Sequence, residues 1–459
     1  MLARLAELTL AALAQWTGWP AFRRAVFVVL GVLAVTAGAK ALFPDRLSLP
    51  LPTPDSKPSH GAPLTYDAAL ARADQTLAGV RPLAAAHPDE WLPQERLAHA
   101  WIARARLTGS FDDFAAAQAA LDQGFAHAAR ATGPHLAQAA LDLSLHRLAH
   151  AEVMLDAIGR YAVPPERDDA DEVAGMRGDI AFYRGRYAEA LKLYGGDRDA
   201  AGGAAFRRAV YEGKTGRIDA ALASLDAVER ASRFPTAQSL ASLELQRGGL
   251  ELQRGAWDQA TVHFAKAERL FPGYWLAQAH SAQMLALGGK RPEAIVRLAT
   301  IARRSGAPEA MDALAALYRA DGDYPNSKLW SDRAGAIWER RLQQIPEAAW
   351  GHAVEHYLAF GDPARALDLA RRDYAARPYG ASAVALAWAE IANNHPAEAL
   401  RILKPLEGGP YVSADQHVAA AQAHLLLGQD AAAQAARKAA LALNPHSLDP
   451  DGALIWFGH

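Results

Sequence analysis

A recurrence of fixed length restricts the fold of this chain more than any other feature of its sequence. Three landmarks of one segment return 34 residues later, where Gly255, Ala260 and Ala267 are followed by Gly289, Ala294 and Ile301. A period of this length is typical of a stack of repeated units rather than of a single closed core. The 459 residues exceed what one core usually holds, and a stack avoids that limit because it grows in one dimension.

Each period has the pattern of a helical hairpin. Leu243 and Leu250 share one face of a helix that rises to a turn at Gly255, and a second helix carries Phe264 before it ends at Pro272. Small residues stand where the two helices must cross closely, and aromatic rings fill the space beside them. Because hydrophobic residues make up 51% of a chain with few strand-forming runs, the sequence predicts an all-α fold.

This hairpin pattern resembles the tetratricopeptide repeat family. The resemblance rests on a glycine before the turn, an aromatic residue just after it, an alanine a few residues later and a proline that closes the second helix. It is strongest near the C-terminus, at Ala421, Gly428, Ala433, Ala440, Leu441, Leu443, Asn444 and Pro445. It implies a right-handed superhelical solenoid of about ten hairpins, with divergent repeats over 65–163 and regular ones over 164–445.

Composition excludes several classes of site. The chain has no cysteine, which removes disulfides, thiol nucleophiles and cysteine-bound metals. A formal net charge of −2 gives no basic face for nucleic acid. No glycine-rich phosphate loop or dinucleotide fingerprint is present, so the sequence predicts no cofactor and no enzymatic activity.

The N-terminal segments predict attachment to a membrane. Residues 1–22 have the pattern of an amphipathic helix lying on a membrane surface. Residues 23–43 are the predicted membrane anchor, in which the apolar run from Ala25 to Phe43 is close to the ~20 residues that a spanning helix needs. Arginines before this run predict a cytoplasmic N-terminus, a single pass through a bacterial-type inner membrane and repeats in the periplasm. A signal peptide cleaved after Ala39 is the alternative, and it also exports the repeats. The proline-rich residues 44–64 predict an extended spacer of up to ~60 Å.

One motif suggests chemistry. His352, Glu355 and His356 have the His-x-x-Glu-His order of a zinc hydrolase, with both histidines on one helical face. The motif lies inside the first helix of a well-matched repeat, and no helix offers an evident third ligand. We therefore predict no metal site, and keep a zinc hydrolase, or a structural accessory subunit of a membrane enzyme complex, as alternative functions.

The predicted function is that of a scaffold for partner proteins in an envelope assembly, secretion or polymer-export complex. In the family that this chain resembles, the first helix of each unit lines a concave groove that holds a peptide or a partner helix. The corresponding groove residues here are Phe182, Tyr183, Phe206, Leu245, Leu276, Gln283, Glu355 and Gln422. The C-terminal residues 446–459 form a further apolar tail, which either caps the last hairpin or docks into a partner.

Overall fold

The computed structural model describes residues 56–59, 61–195 and 203–449. The predicted leader, the predicted membrane segment, the linker up to residue 55 and the tail from residue 450 lie outside these ranges. The described residues form 21 α-helices and one 3₁₀ turn (Lys404–Leu406) and contain no strand, which confirms the all-α prediction for them. The helices are α1 (Tyr66–Ala86), α2 (Trp91–Thr108), α3 (Phe111–His127), α4 (His135–Ser144), α5 (Leu148–Ile158), α6 (Arg167–Tyr183), α7 (Tyr187–Leu193), α8 (Gly203–Lys214), α9 (Ile218–Ala231), α10 (Ala237–Gln253), α11 (Trp257–Leu270), α12 (Trp275–Leu287), α13 (Arg291–Ser305), α14 (Pro308–Ala320), α15 (Tyr324–Gln344), α16 (Pro346–Phe360), α17 (Pro363–Ala376), α18 (Gly380–Ala392), α19 (Pro396–Leu403), α20 (Ala414–Leu426) and α21 (Asp430–Leu443).

Successive helices pair into ten hairpins, the number that the sequence predicts. Hairpin 1 is α2 with α3, the pairs continue in order, and hairpin 10 is α20 with α21. The additional helix α1 packs on α2 before the first hairpin. Below, the turn is the link between the two helices of one hairpin, and a connecting loop joins one hairpin to the next.

Nine of the ten turns have one residue with a left-handed backbone, whereas Gly361 at the turn of hairpin 8 has φ −112°. Gly255 takes it in hairpin 5 at φ 79°, where glycine pays no steric penalty. His146 in hairpin 2 and Asn394 in hairpin 9 occupy the same place, both at φ 61°. Those two hairpins lack the landmark glycine, yet the packing of their helices holds the turn in the same conformation.

One hydrophobic core runs through almost the whole array. A continuous cluster of buried side chains extends from Ala98 to Ala423, with Phe264 and Trp338 among its fully enclosed rings. It crosses the predicted boundary between 65–163 and 164–445 without a break. The divergent and the regular repeats therefore share one core, and a smaller separate cluster around Phe206 lies between hairpins 4 and 5.

The second turn of the superhelix rests directly on the first, and we call the contacts between the two turns the seam. The turn of hairpin 3 meets the connecting loop before hairpin 9, where the Gly380 amide donates to the Tyr187 hydroxyl oxygen at 2.9 Å. The turn of hairpin 4 meets the loop before hairpin 10, where the Val412 amide donates to the Lys214 carbonyl oxygen at 3.1 Å. In both places the partners are six hairpins apart.

The same offset holds at both ends of the seam. Hairpins 1 and 7 are joined by the Gln344 side-chain amide, which donates to Asp112 Oδ1 at 2.8 Å. The chain after hairpin 10 lies on the turn of hairpin 5, where Asn444 Nδ2 donates to the carbonyl oxygens of Leu252 and Gln253 at 3.3 and 3.2 Å. Six hairpins therefore make one superhelical turn, and the inner face of the array is enclosed.

The end of the proline-rich segment is docked on the array, which differs from the spacer prediction. The Ser59 amide donates to the Pro235 carbonyl oxygen at 2.7 Å, and the Tyr66 amide donates to the Pro272 carbonyl oxygen at 2.9 Å. The Ser56 amide donates to Glu229 Oε1 at 3.1 Å. These bonds fix residues 56–59 and the start of α1 across the connecting loops before hairpins 5 and 6. Within the described ranges, no helix combines the length and apolarity needed to cross a membrane.

Candidate functional site

The first helices of the hairpins line the inner face of the superhelix. The first helices of hairpins 8, 9 and 10 (α16, α18 and α20) contact one another in sequence, which makes them a continuous layer. Side chains that leave this layer on the side away from the second helices face the enclosed space. The inner face is therefore the place to compare with the predicted groove.

Most of the predicted groove residues lie below the surface. Six of the eight are at most 4% exposed, namely Phe182, Tyr183, Phe206, Leu245, Leu276 and Gln283. Tyr379 from the second turn covers Phe182 and Tyr183, with ring centroids 6.0 and 5.0 Å away. Glu355 and Gln422 are exposed, so only these two of the eight present their side chains to solvent. Their role in binding a partner stays a prediction.

The two histidines of the His-x-x-Glu-His motif are used in packing between hairpins 7 and 8. The Nδ1 atom of His356 is 2.7 Å from Asp312 Oδ1, and Asp312 Oδ2 accepts a hydrogen bond from Trp338 Nε1 at 2.8 Å. The ring of His352 is stacked parallel to Trp338, and burial lowers the pKa of His352 to about 3. His352 is therefore neutral at physiological pH.

A metal centre finds no ligand set in the part of the chain that the structure describes. No group of three or more histidine, aspartate or glutamate side chains comes together there in a way that would hold an ion. The other histidine pair with helical spacing is His146 and His150, and both of these residues also have structural roles. His146 forms the turn of hairpin 2, and His150 Nδ1 lies 2.7 Å from Asp142 Oδ2.

Four carboxylates of hairpins 7, 8 and 10 interact electrostatically, and we call this group the acidic face. They are Glu309 and Asp312 on α14, Glu355 on α16 and Asp415 on α20. Glu309 is paired with Arg341 at 2.8 Å. Asp415 Oδ1 accepts a hydrogen bond from the indole of Trp388 at 3.0 Å.

The electrostatics of Glu355 show that these four groups share one space. Dehydration by the surrounding protein, followed by repulsion from Asp312, Asp415 and Glu309, raises the pKa of Glu355 to about 8. Burial likewise raises the pKa of Asp415, and the bond from Trp388 offsets part of that rise. The Glu355 side chain nevertheless touches water. A side chain that faces the interior of a narrow superhelix contacts water and is at the same time surrounded by protein.

Replacing Glu355 with glutamine is expected to change how stability depends on pH. The folded protein holds a proton on Glu355 up to about pH 8, whereas the unfolded chain releases it near 4.5. The stabilising contribution of this proton is therefore complete below pH 4.5 and is lost as the pH rises through 8. In thermal melts, the Tm of Glu355→Gln relative to wild type is expected to increase from pH 5 to pH 9. Glu293→Gln, an exposed position on α13, is the control and should show no such trend.

Sequence reasoning missed three members of the acidic face and found one. Glu309 and Asp415 are each the second residue of a first helix, since α14 begins at Pro308 and α20 at Ala414. Aligning the hairpins by register would have shown that these acids share one position. Glu355 belongs both to the predicted groove residues and to the His-x-x-Glu-His motif, and neither pattern shows its acidic neighbours.

Neither a protein-family model nor a curated protein matches the sequence. Solved structures with similar folds include a tetratricopeptide repeat protein from Parabacteroides merdae, at 14% identity and a TM-score of 0.32 over 55% of this chain and 97% of that one. The Rap protein complexed with competence and sporulation factor is similar at 12% identity and a TM-score of 0.41, over 68% and 97% of the two chains. The tetratricopeptide repeat domain of P58(IPK) is similar at 15% identity and a TM-score of 0.27, over 85% and 96%.

Proposed function

We propose that this chain is a scaffold outside the cytoplasm, tethered to a membrane through residues 23–43, that binds a partner protein on its acidic face. Stacked helical hairpins provide a long rigid surface and bring no catalytic group of their own to it. The expected setting is an envelope assembly, secretion or polymer-export complex. The expected ligand is a segment of the partner that carries lysine or arginine.

The proposal rests on the electrostatic surroundings of Glu355. No cationic side chain among the described residues pairs with it, and three other carboxylates stand near it. A lysine or arginine from a partner would favour the ionised form of Glu355, so that its proton is released and the two opposite charges pair. Trp388 beside Asp415 adds an aromatic surface for the aliphatic part of such a side chain.

A photo-crosslinking amino acid at position 422 tests the partner site in membranes of cells that produce the full chain. We expect a crosslinked polypeptide from position 422, which is exposed on the inner side, and none from Val296, which is exposed on the second helix of hairpin 6. The double charge reversal of Glu355 and Asp415 to lysine should reduce the adduct at least about tenfold. The matched reversal of Glu293 and Asp332, two exposed acids on second helices, should leave it unchanged. An adduct that survives the first reversal contradicts the proposal.

The tether has its own test. A chain anchored by residues 23–43 should stay with the membrane pellet after alkaline carbonate extraction, and protease should reach the repeats in spheroplasts without detergent. Release by carbonate would contradict the anchor and favour cleavage after Ala39. Protection from protease would contradict the periplasmic location.

A further inference from the structure

We propose that residues 450–457 form a short first helix of an eleventh unit, which covers the open end of hairpin 10 and adds Asp451 to the acidic face. The sequence leaves two places open for this tail, a cap on the last hairpin or a groove on a partner, and the seam favours the cap. The placement of the tail is independent of any partner. Only the role of Asp451 rests on the proposed binding of a partner at the acidic face.

Hairpin 10 exposes an apolar side chain at a position that is covered in earlier hairpins. Leu441 is the twelfth residue of α21 and is 43% exposed. Ala302, the twelfth residue of α13, is fully buried. Gly335 holds the same position in α15, where an added Cβ would lie 3.0 Å from His356 Nε2 on α16, the next first helix. The exposure of Leu441 therefore marks the place that a further first helix would cover.

The chain after hairpin 10 is already held in the place of a connecting loop. The ring of His446 is stacked on Trp257 at the turn of hairpin 5, with the ring centroids 3.9 Å apart. At the two preceding joints of the seam a first helix follows at once, since α18 begins at Gly380 itself and α20 begins two residues after Val412. The same offset of six hairpins places the residues after Asp449 at the start of a first helix. This helix packs on α21 and α20 in the way that α20 packs on α19 and α18.

The residues at this point have the sequence of a helix start. Asp449 is a preferred residue before the first helical turn, Pro450 is favoured at its first position, and Asp451 supplies an acid near the positive end of the helix dipole. The first helices α14 and α16 begin in the same way, with a proline followed by a glutamate. The apolar run 453–457 then supplies the side chains that cover Leu441.

The register of this helix places Asp451 with the carboxylates of the acidic face. In a helix that begins at Pro450, Asp451 is the second residue, which is the position of Glu309 in α14 and of Asp415 in α20. Asp451 then stands one helix beyond Asp415 in the layer of first helices. A cationic segment bound at the acidic face meets it there.

The turn below Asp451 has no cation at the position that compensates an equivalent acid elsewhere. Glu347 is the second residue of α16, and its Oε2 lies 3.6 Å from Nε of Arg147, the residue before α5 at the turn of hairpin 2. The residue before α11, at the turn of hairpin 5, is Ala256. Arg254 in the same turn is already paired with two carboxylates. The charge of Asp451 is therefore available to a partner.

Contact quenching by Trp456 tests the placement of the tail in the full chain. Because the chain has no cysteine, Leu441→Cys carries a single bimane label, which tryptophan quenches on contact. In detergent-solubilised protein without a partner, Trp456→Phe should raise the fluorescence of this label at least about twofold. A label at Val296→Cys, 68% exposed on hairpin 6, is the control and should not respond.

Two results of this experiment overturn the inference. Fluorescence at position 441 that does not change with Trp456→Phe shows that the tail does not cover hairpin 10. Labelled Trp456→Phe chains are also mixed with unlabelled wild-type chains. Quenching that returns in this mixture shows that the tail covers a second copy instead of its own hairpin.

Asp451→Lys tests the second part of the inference with the photo-crosslinker at position 422. We expect the adduct to fall at least about threefold, whereas Glu293→Lys on α13 should leave it unchanged. An adduct that Asp451→Lys does not reduce overturns the role of Asp451. If the chain without this substitution forms no adduct, the proposed function fails and the role of Asp451 fails with it, while the fluorescence still decides where the tail lies.

Discussion

Replacing Arg207 with alanine is expected to lower the free energy of unfolding by about 3–5 kcal/mol. Arg207 is 4% exposed, and its guanidinium donates to Glu172 Oε1 at 2.8 Å and to Asp179 Oδ2 at 2.9 Å. The hydroxyl of Tyr194 donates to the other Asp179 oxygen at 2.8 Å. Without the guanidinium, the buried Glu172 and Asp179 carboxylates lose the cation that they share, and Tyr194 donates to only one of them. Equilibrium denaturation of both proteins measures the difference.

The pH dependence of this loss of stability and a matched control variant make the prediction more specific. Burial raises the pKa of Asp179 to about 7 even with Arg207 present, so protonation relieves part of the loss in the variant. The difference in stability should be smaller at pH 5 than at pH 8. Arg372→Ala removes an arginine that is 56% exposed and paired with Asp368, and should cost less than about 1 kcal/mol. A loss at Arg207 no larger than that of this control would contradict the role of the buried network.

Replacing Gly185 with alanine is expected to open the seam. Gly185 has φ 71°, and an added Cβ would lie 2.7 Å from the Pro378 carbonyl oxygen of the second superhelical turn. Backbone atoms on both sides must then separate, which breaks the bond from the Gly380 amide to Tyr187. We expect an increased radius of gyration in small-angle X-ray scattering. Crosslinking between cysteines placed at Asp112 and Gln344, which meet across the seam, should also fall.

Gly322→Ala is the matched control for the seam. Gly322 stands at the turn of hairpin 7 with φ 77°, and nothing lies within 4 Å of an added Cβ. Both substitutions pay the same penalty of about 1–2 kcal/mol for a left-handed alanine. Only Gly185→Ala should alter the scattering curve and the crosslink. If the two variants behave alike, the two superhelical turns do not depend on this joint.

The hairpins could be predicted from sequence because their determinants are local. Gly255, Ala260 and Phe264 lie within one unit, and their spacing reports the turn and the helix crossing directly. Even hairpin 2, which has His146 instead of glycine at its turn, forms the same structure, because packing against its neighbours fixes its helices. Contacts within a hairpin and with the next one are short in sequence, so a repeated pattern shows them.

The seam and most of the acidic face could not be predicted in the same way. Tyr187 and Gly380 are 193 residues apart, and they meet only because small rotations at six successive hairpins add up to a full turn. No single period contains that sum. The cover over Phe182 and Tyr183, two of the predicted groove residues, likewise depends on a ring from the second superhelical turn. Glu355 could be singled out in the sequence, but its proximity to three other carboxylates depends on the superhelix as well.

The constant offset of the seam also limits how such a chain can change its length. A solenoid with separated coils tolerates the gain or loss of a unit anywhere, because each unit touches only its neighbours. Here a unit inserted between hairpins 3 and 9 would move the Tyr187 hydroxyl out of reach of Gly380 and misalign every joint that spans the insertion. Duplication near the middle of the gene would thus be selected against, and new repeats would be accommodated only where they lengthen the array beyond its first or last hairpin.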